Sequence, residues 1–168
     1  GSCHALMGEN GAGKSTLGKV LAGIHRPAEG RMEVEGVERH FHSPLDAQSA
    51  GVAIVHQELS FCPNLSVAEN VCLSDLPRRV GRMDWRKLEE KAQSHLDSIG
   101  ADCDVREELG RLSPGRMQMV QVAAALATGA HISVMDEPTS SLSASEADRL
   151  AELIGTLRRR GATIIYVS

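Results

Sequence analysis

Large rings are nearly missing from this 168-residue chain, in which Trp85, Tyr166, Phe41 and Phe61 make up the 2% aromatic content. A core must therefore be filled by Ala, Val, Leu, Ile and Met, and the 42% hydrophobic content suffices for one domain. Apolar runs long enough to span a bilayer, which takes ~20 residues, are also missing, as is any secretory leader pattern. The expectation is that any membrane this protein serves is crossed by another chain. A basic excess is lacking too: the formal net charge is −4, which argues against a nucleic-acid partner. Cys3, Cys62, Cys72 and Cys103 form no CxxC pair and no zinc spacing; free thiols in a reducing cytosol are the reading. Repeats and low-complexity stretches are absent as well.

What is present is an alternation of strand and helix signals. A strand at about 3–7 feeds a glycine loop and a helix over 14–22, with Gly23 as its stop. Residues 31–42 read as short alternating strands, and Ser43-Pro44 opens a short helix that ends at Gly51. The apolar run 51–56 is another strand. From 59 to 112 the chain turns helical. Ser66-Val67-Ala68-Glu69 forms a capping box, and Asp84 caps a helix whose apolar residues are Trp85, Leu88, Ala92, Leu96 and Ile99. Ser113 caps a helix with Pro114 at its first position, running to about Ala127. A buried strand follows at 132–135. Ser143-Ala144-Ser145-Glu146 is a second capping box, opening a helix with Ala147, Leu150, Ile154 and Leu157 on one face and Arg158-Arg159-Arg160 at its end. The run 163–167 is a strand of the kind buried inside a parallel sheet. The pattern predicts an α/β fold: a mostly parallel sheet flanked by helices, with a helical block at about 60–128 inserted between two strands. Neither end of the chain reads as a domain boundary, so a truncated piece of one domain is expected.

The segment Gly8-Glu9-Asn10-Gly11-Ala12-Gly13-Lys14-Ser15-Thr16 fits G-x-x-x-x-G-K-[ST]. Glycines let the backbone wrap so that successive N–H groups face phosphate oxygens, and the following helix adds its positive end. Lys14 is expected to reach the β- and γ-phosphates, the Ser15 hydroxyl to ligate Mg²⁺, and Thr16 to add a phosphate hydrogen bond. Val134-Met135-Asp136-Glu137 closes a strand with two carboxylates at the edge where parallel sheets bind ligands. Asp136 is placed for the Mg²⁺ shell and Glu137 for polarising an attacking water; a solvated turn before Pro138 is the alternative. Gln57, ending the 51–56 strand, should reach the same edge, where its amide can touch both metal and water. At Leu112-Ser113-Pro114-Gly115-Arg116 a helix start offers a hydroxyl and an unobstructed N–H, an anion site or an ordinary N-cap.

In this order the motifs resemble those of the ATP-binding cassette (ABC) family, a branch of the P-loop NTPases. Residues 8–16 look like its Walker A, Gln57 its Q-loop, 112–116 its signature, 132–137 its Walker B and 140–143 its D-loop. The stretches 5–16, His56-Gln57-Glu58-Leu59, 64–70 and 116–120 are closer still to the bacterial sugar-importer ATPases of ribose, arabinose, xylose and galactoside systems, in which two cassettes are fused. The intact Lys14 together with Gln57-Glu58-Leu59 resembles the first of the two. Nucleoside and autoinducer importers share the design. The resemblance implies ATP and Mg²⁺ as ligands and a second cassette in the same polypeptide. Further partners are a transmembrane permease and, through it, a periplasmic solute-binding protein, with the chain at the cytoplasmic face of the inner membrane. It also implies that Ser113, Pro114, Gly115 and Arg116 cover the nucleotide of the opposite cassette, and that Glu137 and Gln57 serve hydrolysis. A soluble non-transport cassette ATPase and a nucleotide-binding module without turnover are the alternatives.

The chain departs from the family pattern at three places. The signature reads Leu-Ser-Pro-Gly-Arg rather than Leu-Ser-Gly-Gly-Gln, which puts a cation at Arg116. Ser143 stands where many cassettes carry a D-loop aspartate. The adenine-stacking aromatic and the switch histidine of the family are expected before Gly1 and after Ser168. His40 and His42, without a third ligand, read as surface residues, and Asn64-Leu65-Ser66 reads as a helix cap rather than a glycosylation site.

Overall fold

Short apolar runs that cannot bury both faces alone pair side by side here, and the pairing decides the architecture. A computed structural model describes residues 1–9, 11–55, 61–79, 81–139 and 142–168. In chain order the first elements are β1 (Cys3–Leu6), α1 (Lys14–Leu21), β2 (Met32–Val34), β3 (Val37–Arg39), α2 (Pro44–Ser49) and β4 (Val52–Val55). The middle of the chain holds α3 (Val67–Val71), β5 (Arg78–Arg79), β6 (Arg82–Met83), α4 (Trp85–Ser98) and a 3-10 turn at Leu109–Arg111. The last elements are α5 (Pro114–Ala127), β7 (Ile132–Asp136), α6 (Ala144–Arg159) and β8 (Thr163–Val167). The main sheet runs β1-β8-β7-β4, all parallel, with Ala5 beside Tyr166, Met135 beside Tyr166 and Ile54 beside Val134.

Both faces of this sheet are covered, as its unbroken apolar strands require. Adjacent β7 residues point to opposite sides. Met135, with Val55 and Ile164, joins the larger core under α3, α4, α5 and α6. Val134, with Val52 and Val167, joins a smaller one with Val34, Phe41 and Ala47. Helix α1 lies close on that second face because Gly18 has no side chain: a Cβ there would sit 3.4 Å from Val134 Cγ1. The β2–β3 hairpin turns through Glu35 and Gly36, both at positive φ (53° and 75°), the geometry that matches strand twist in a two-residue turn. Gly51, at φ 81°, takes a backbone conformation that favours glycine, and a Cβ there would displace the exposed imidazole of His131. Its carbonyl accepts from the N–H groups of His131 and Ile132 at 3.0 Å, which starts β7 beside β4.

The block between β4 and β7 differs from the helical stretch expected over 59–112. Ahead of α5, the described residues of this block hold α3, α4 and the 3-10 turn, and an antiparallel hairpin of two-residue strands, β5–β6, separates α3 from α4. The stretch from 101 to 108 is irregular and is stitched to the start of α3, with Val67 N–H donating to Glu107 O and Ala68 N–H to Val105 O, both at 2.9 Å. Leu88, Ala92, Leu96 and Ile99 of α4 are buried as the spacing predicts, whereas Trp85 at its first turn is 54% exposed. The predicted stripe therefore begins one turn later, because the N-terminal turn overhangs the packed surface. In α6, Leu153 is buried alongside Leu150 and Leu157, widening the expected face. Arg160 Nη1 donates to the Ser98 carbonyl at 2.7 Å, tying the C-terminal ends of α6 and α4 together.

Candidate nucleotide site

The loop between β1 and α1 is built around two left-handed glycines, Gly11 and Gly13, both at φ 85°. Gly13 is the N-cap of α1 and has no side chain to accept from the first N–H groups of that helix, which remain available to a ligand. Ala12 N–H closes the turn on Glu9 O at 3.1 Å. Lys14 Nζ folds back over the loop, donating to the carbonyls of Gly8 at 2.6 Å and Glu9 at 3.1 Å. Its ammonium thus lies over the backbone of the loop. Thr16 is exposed one residue beyond Ser15.

Ser15 joins this loop to the end of β7, with its hydroxyl donating to Asp136 Oδ1 at 3.0 Å across 121 residues of sequence. Asp136 is only 5% exposed, so burial costs its charge unless a cation or hydrogen bonds compensate. A hydroxyl and a carboxylate, both hard oxygen donors, suit Mg²⁺, and positive-φ glycines ahead of a helix start suit phosphate; the residues present therefore fit both ligands. Glu137 follows at φ 44°, a left-handed conformation uncommon for a side-chain-bearing residue, and its N–H donates to Val167 O at 3.0 Å. Such strain collects at functional positions. The turn beyond it is held by Thr139 Oγ1 and the Tyr166 hydroxyl, 3.0 Å apart. In the sequence Tyr166 stands out only as the aromatic residue of an otherwise non-aromatic strand.

At α5, Ser113 is the N-cap and its hydroxyl oxygen accepts from Arg116 N–H at 3.4 Å; Pro114 takes the first helical position, as predicted. Among the described residues no hydrogen bond or ion pair joins this helix start to the 8–16 loop. It meets α6 instead. Glu146 closes the α6 capping box, accepting from Ser143 N–H at 2.9 Å and from the Ser143 hydroxyl at 2.8 Å. Its Oε1 also accepts from the Ser113 hydroxyl at 3.4 Å. These donors hold its carboxyl below the ordinary value: Ser143 N–H most, then the Ser143 hydroxyl, with Ser113 and Gly115 N–H adding to them. The sequence offered Glu146 only as a capping residue; its reach to a second helix carries no local signal.

A cavity of about 510 Å³ opens beside this contact, with Arg116, Arg149 and Cys103 on its wall. Burial pushes the Cys103 thiol up. Asn10, Gln57 and Ser140 lie outside the described residues, as does the whole 56–60 stretch, so the structure brings together 8–9, 11–16, Asp136 and Glu137 of the predicted set. No group of three or more His, Cys, Asp and Glu side chains suited to a metal occurs among the described residues.

The family model described as "ABC transporter" matches residues 1–140. The ribose import ATP-binding protein RbsA of Chromobacterium violaceum is 48% identical over 169 residues, covering 100% of this chain and 34% of that protein. The arabinose import ATP-binding protein AraG of Vibrio parahaemolyticus is 49% identical over 168 residues, covering 100% and 33%. The chain thus spans about a third of the length of the curated relatives it matches. Among solved structures, a nucleotide-free ATP-binding cassette from an ABC transporter matches with a TM-score of 0.83 at 23% identity, over 99% of this chain and 70% of that one. A dimeric post-hydrolysis state of the ATP-binding cassette MJ0796, bound to ADP and Pi, matches with a TM-score of 0.80 at 23% identity, over 99% and 74%. At that identity the likeness is one of fold.

Proposed function

The chain belongs to the ABC transporter family, and on that premise we propose that it binds and hydrolyses ATP to drive import of a sugar or related small solute through a membrane permease. The observation that carries this reading is the Ser15–Asp136 contact, which puts a phosphate loop and a strand-end carboxylate at one point of the sheet edge. Its relatives, named as ribose and arabinose import proteins, support the solute class.

In this reading the N–H groups of the 8–16 loop and the α1 start take the nucleotide phosphates, and Lys14 leaves the Gly8 and Glu9 carbonyls to meet the terminal ones. Ser15, Asp136 and Gln57 would hold Mg²⁺, which would supply charge neutralisation for the phosphates. Glu137 accepts a proton from the attacking water, and Gln57 orients that water. Ser113, Pro114, Gly115 and Arg116 cover the nucleotide bound by a second cassette, carried in the same polypeptide. The helical block at about 60–128 acts as a subdomain of one nucleotide-binding domain and docks the permease at the cytoplasmic face of the inner membrane, so that cassette closure drives alternating access. A periplasmic solute-binding protein reaches it only through the permease. No described helix is long and apolar enough to cross a membrane. The test is Mg-ATP hydrolysis by the full-length protein reconstituted with its permease in proteoliposomes. Hydrolysis stimulated by a sugar-loaded binding protein supports the proposal; hydrolysis indifferent to permease and to every sugar tried refutes it.

A further inference from the structure

The two groups assigned above to a partner's nucleotide already face an anion of this chain. The Ser113 hydroxyl donates to Glu146 Oε1 at 3.4 Å, and Gly115, which is buried, packs so tightly on the same carboxylate that a Cβ would overlap it. An ordinary capping box engages one helix. This one spans the N-termini of α5 and α6, whose positive ends both attract the carboxylate. A phosphate oxygen and a carboxylate cannot share one set of donors, because two anions at hydrogen-bond separation repel. Space for a rearrangement exists alongside: the cavity of about 510 Å³ is walled by Arg116 and Arg149, cations that a rotated Glu146 would meet, with Asp102 and Glu152 as the opposing acids.

Resting on the cassette reading, we propose that Glu146 is an internal competitor for the signature site, clamping the α5 and α6 starts together until the γ-phosphate of a partner-bound ATP displaces it from Ser113 and Gly115. Glu146 is then a positioning residue that sets the ATP concentration at which the cassettes close, and not a group that touches the reacting atoms.

The test is steady-state Mg-ATP hydrolysis by the full-length protein, comparing wild type with Glu146→Gln, Glu146→Asp and Ser43→Ala, with the thermal midpoint of each read alongside. Gln removes the charge. Asp keeps a charge at the α6 start, so the helix cap survives, but is one methylene too short to hold α5. The expected result is a KM for ATP about three- to tenfold lower in both Glu146 variants, with kcat within about twofold, since one charge-assisted competitor is removed. Ser43→Ala, which weakens the α2 cap and leaves Glu146 and its donors untouched, should lower the midpoint and leave KM in place. A KM that fails to fall in either Glu146 variant overturns the competitor, and a lowered midpoint with KM unmoved marks Glu146 as structural only. A wild-type protein without Mg-ATP turnover overturns the cassette reading itself, and the competitor with it.

Discussion

Removing the buried amide of Asn70 should cost this chain much of its stability. It is 3% exposed in α3 and faces back to the loop that leads out of residues 56–60. Its Oδ1 accepts from Cys62 N–H at 3.0 Å, and its Nδ2 donates to Cys62 O at 3.1 Å and to Ser66 O at 2.9 Å. Ser66 O also accepts from Asn70 N–H at 3.1 Å and stays satisfied without the side chain. The loss in Asn70→Ala therefore centres on the two Cys62 bonds, at ~1 kcal/mol each, plus the void left by the amide, for a total of about 2–4 kcal/mol. For a domain of this size that corresponds to a fall of roughly 5–15 °C in Tm. The assay is thermal and urea unfolding followed by circular dichroism, with the urea m-value unchanged. Gln93→Ala serves as the control: its amide bonds Asp97 at an exposed site, so its effect should stay within about 0.5 kcal/mol. Asn70→Asp should be no better than Ala, since a carboxylate keeps the Cys62 N–H bond but turns a negative charge on the carbonyls of Cys62, Leu65 and Ser66. An Ala variant as stable as the Gln93 control would refute the assignment of Asn70 as the clamp between this loop and α3.

Gly36→Ala, at φ 75° with open space around it, should cost about 1 kcal/mol, and Gly51→Ala, at φ 81°, somewhat more, since the exposed His131 ring must swing off its Glu35 partner to make room; a loss at Gly51 smaller than that at Gly36 in urea unfolding would contradict the role given to His131. Stability should decline in acid. His95 is held below its ordinary 6.5 by burial and then by Lys91, so its contribution is complete above that value and is lost as pH falls below it. Asp46, Asp75 and Glu146 are held below their ordinary 3.8, 3.8 and 4.5, mainly by the His42 N–H, the Lys91 ammonium and the Ser143 N–H respectively, so their contributions fade as pH falls through and below those values. A thermal midpoint that rises between pH 7 and pH 4 would run against this. Glu137→Gln should leave ATP binding near wild type and lower turnover by at least about a hundredfold, the scale of a positioned general base; near-normal turnover would remove Glu137 from the mechanism.

Much of this architecture was legible because short-range chemistry decides it. Both capping boxes form as read, since Ser66 with Glu69 and Ser143 with Glu146 satisfy orphan helix groups within four residues. The 8–16 loop was readable because glycine at fixed offsets is a backbone requirement, met here at Gly11 and Gly13. The Ser15–Asp136 contact followed only once both motifs were placed on one sheet edge. The strand order β1-β8-β7-β4 was not legible, since identical apolar runs pair in any order until crossovers and packing choose. The β5–β6 hairpin escaped because two-residue strands are too short to show a period. Glu146 escaped because one carboxylate meets a local cap and a distant helix at once, and only the local half leaves a pattern. Trp85 was counted into a core stripe on spacing alone, and its exposure reflects where the helix begins relative to its neighbours.

The central claim is that the 8–16 loop and Asp136 form one Mg-ATP site. Calorimetric titration of the full-length protein with ATP, with and without Mg²⁺, tests it most directly when wild type is set beside Lys14→Ala and Asp136→Asn. The account predicts saturable binding by wild type, at least ~10-fold weaker binding by Lys14→Ala through loss of charge-assisted contacts, and loss of the Mg²⁺ dependence in Asp136→Asn. Wild-type-like, Mg²⁺-dependent binding in both variants would contradict it.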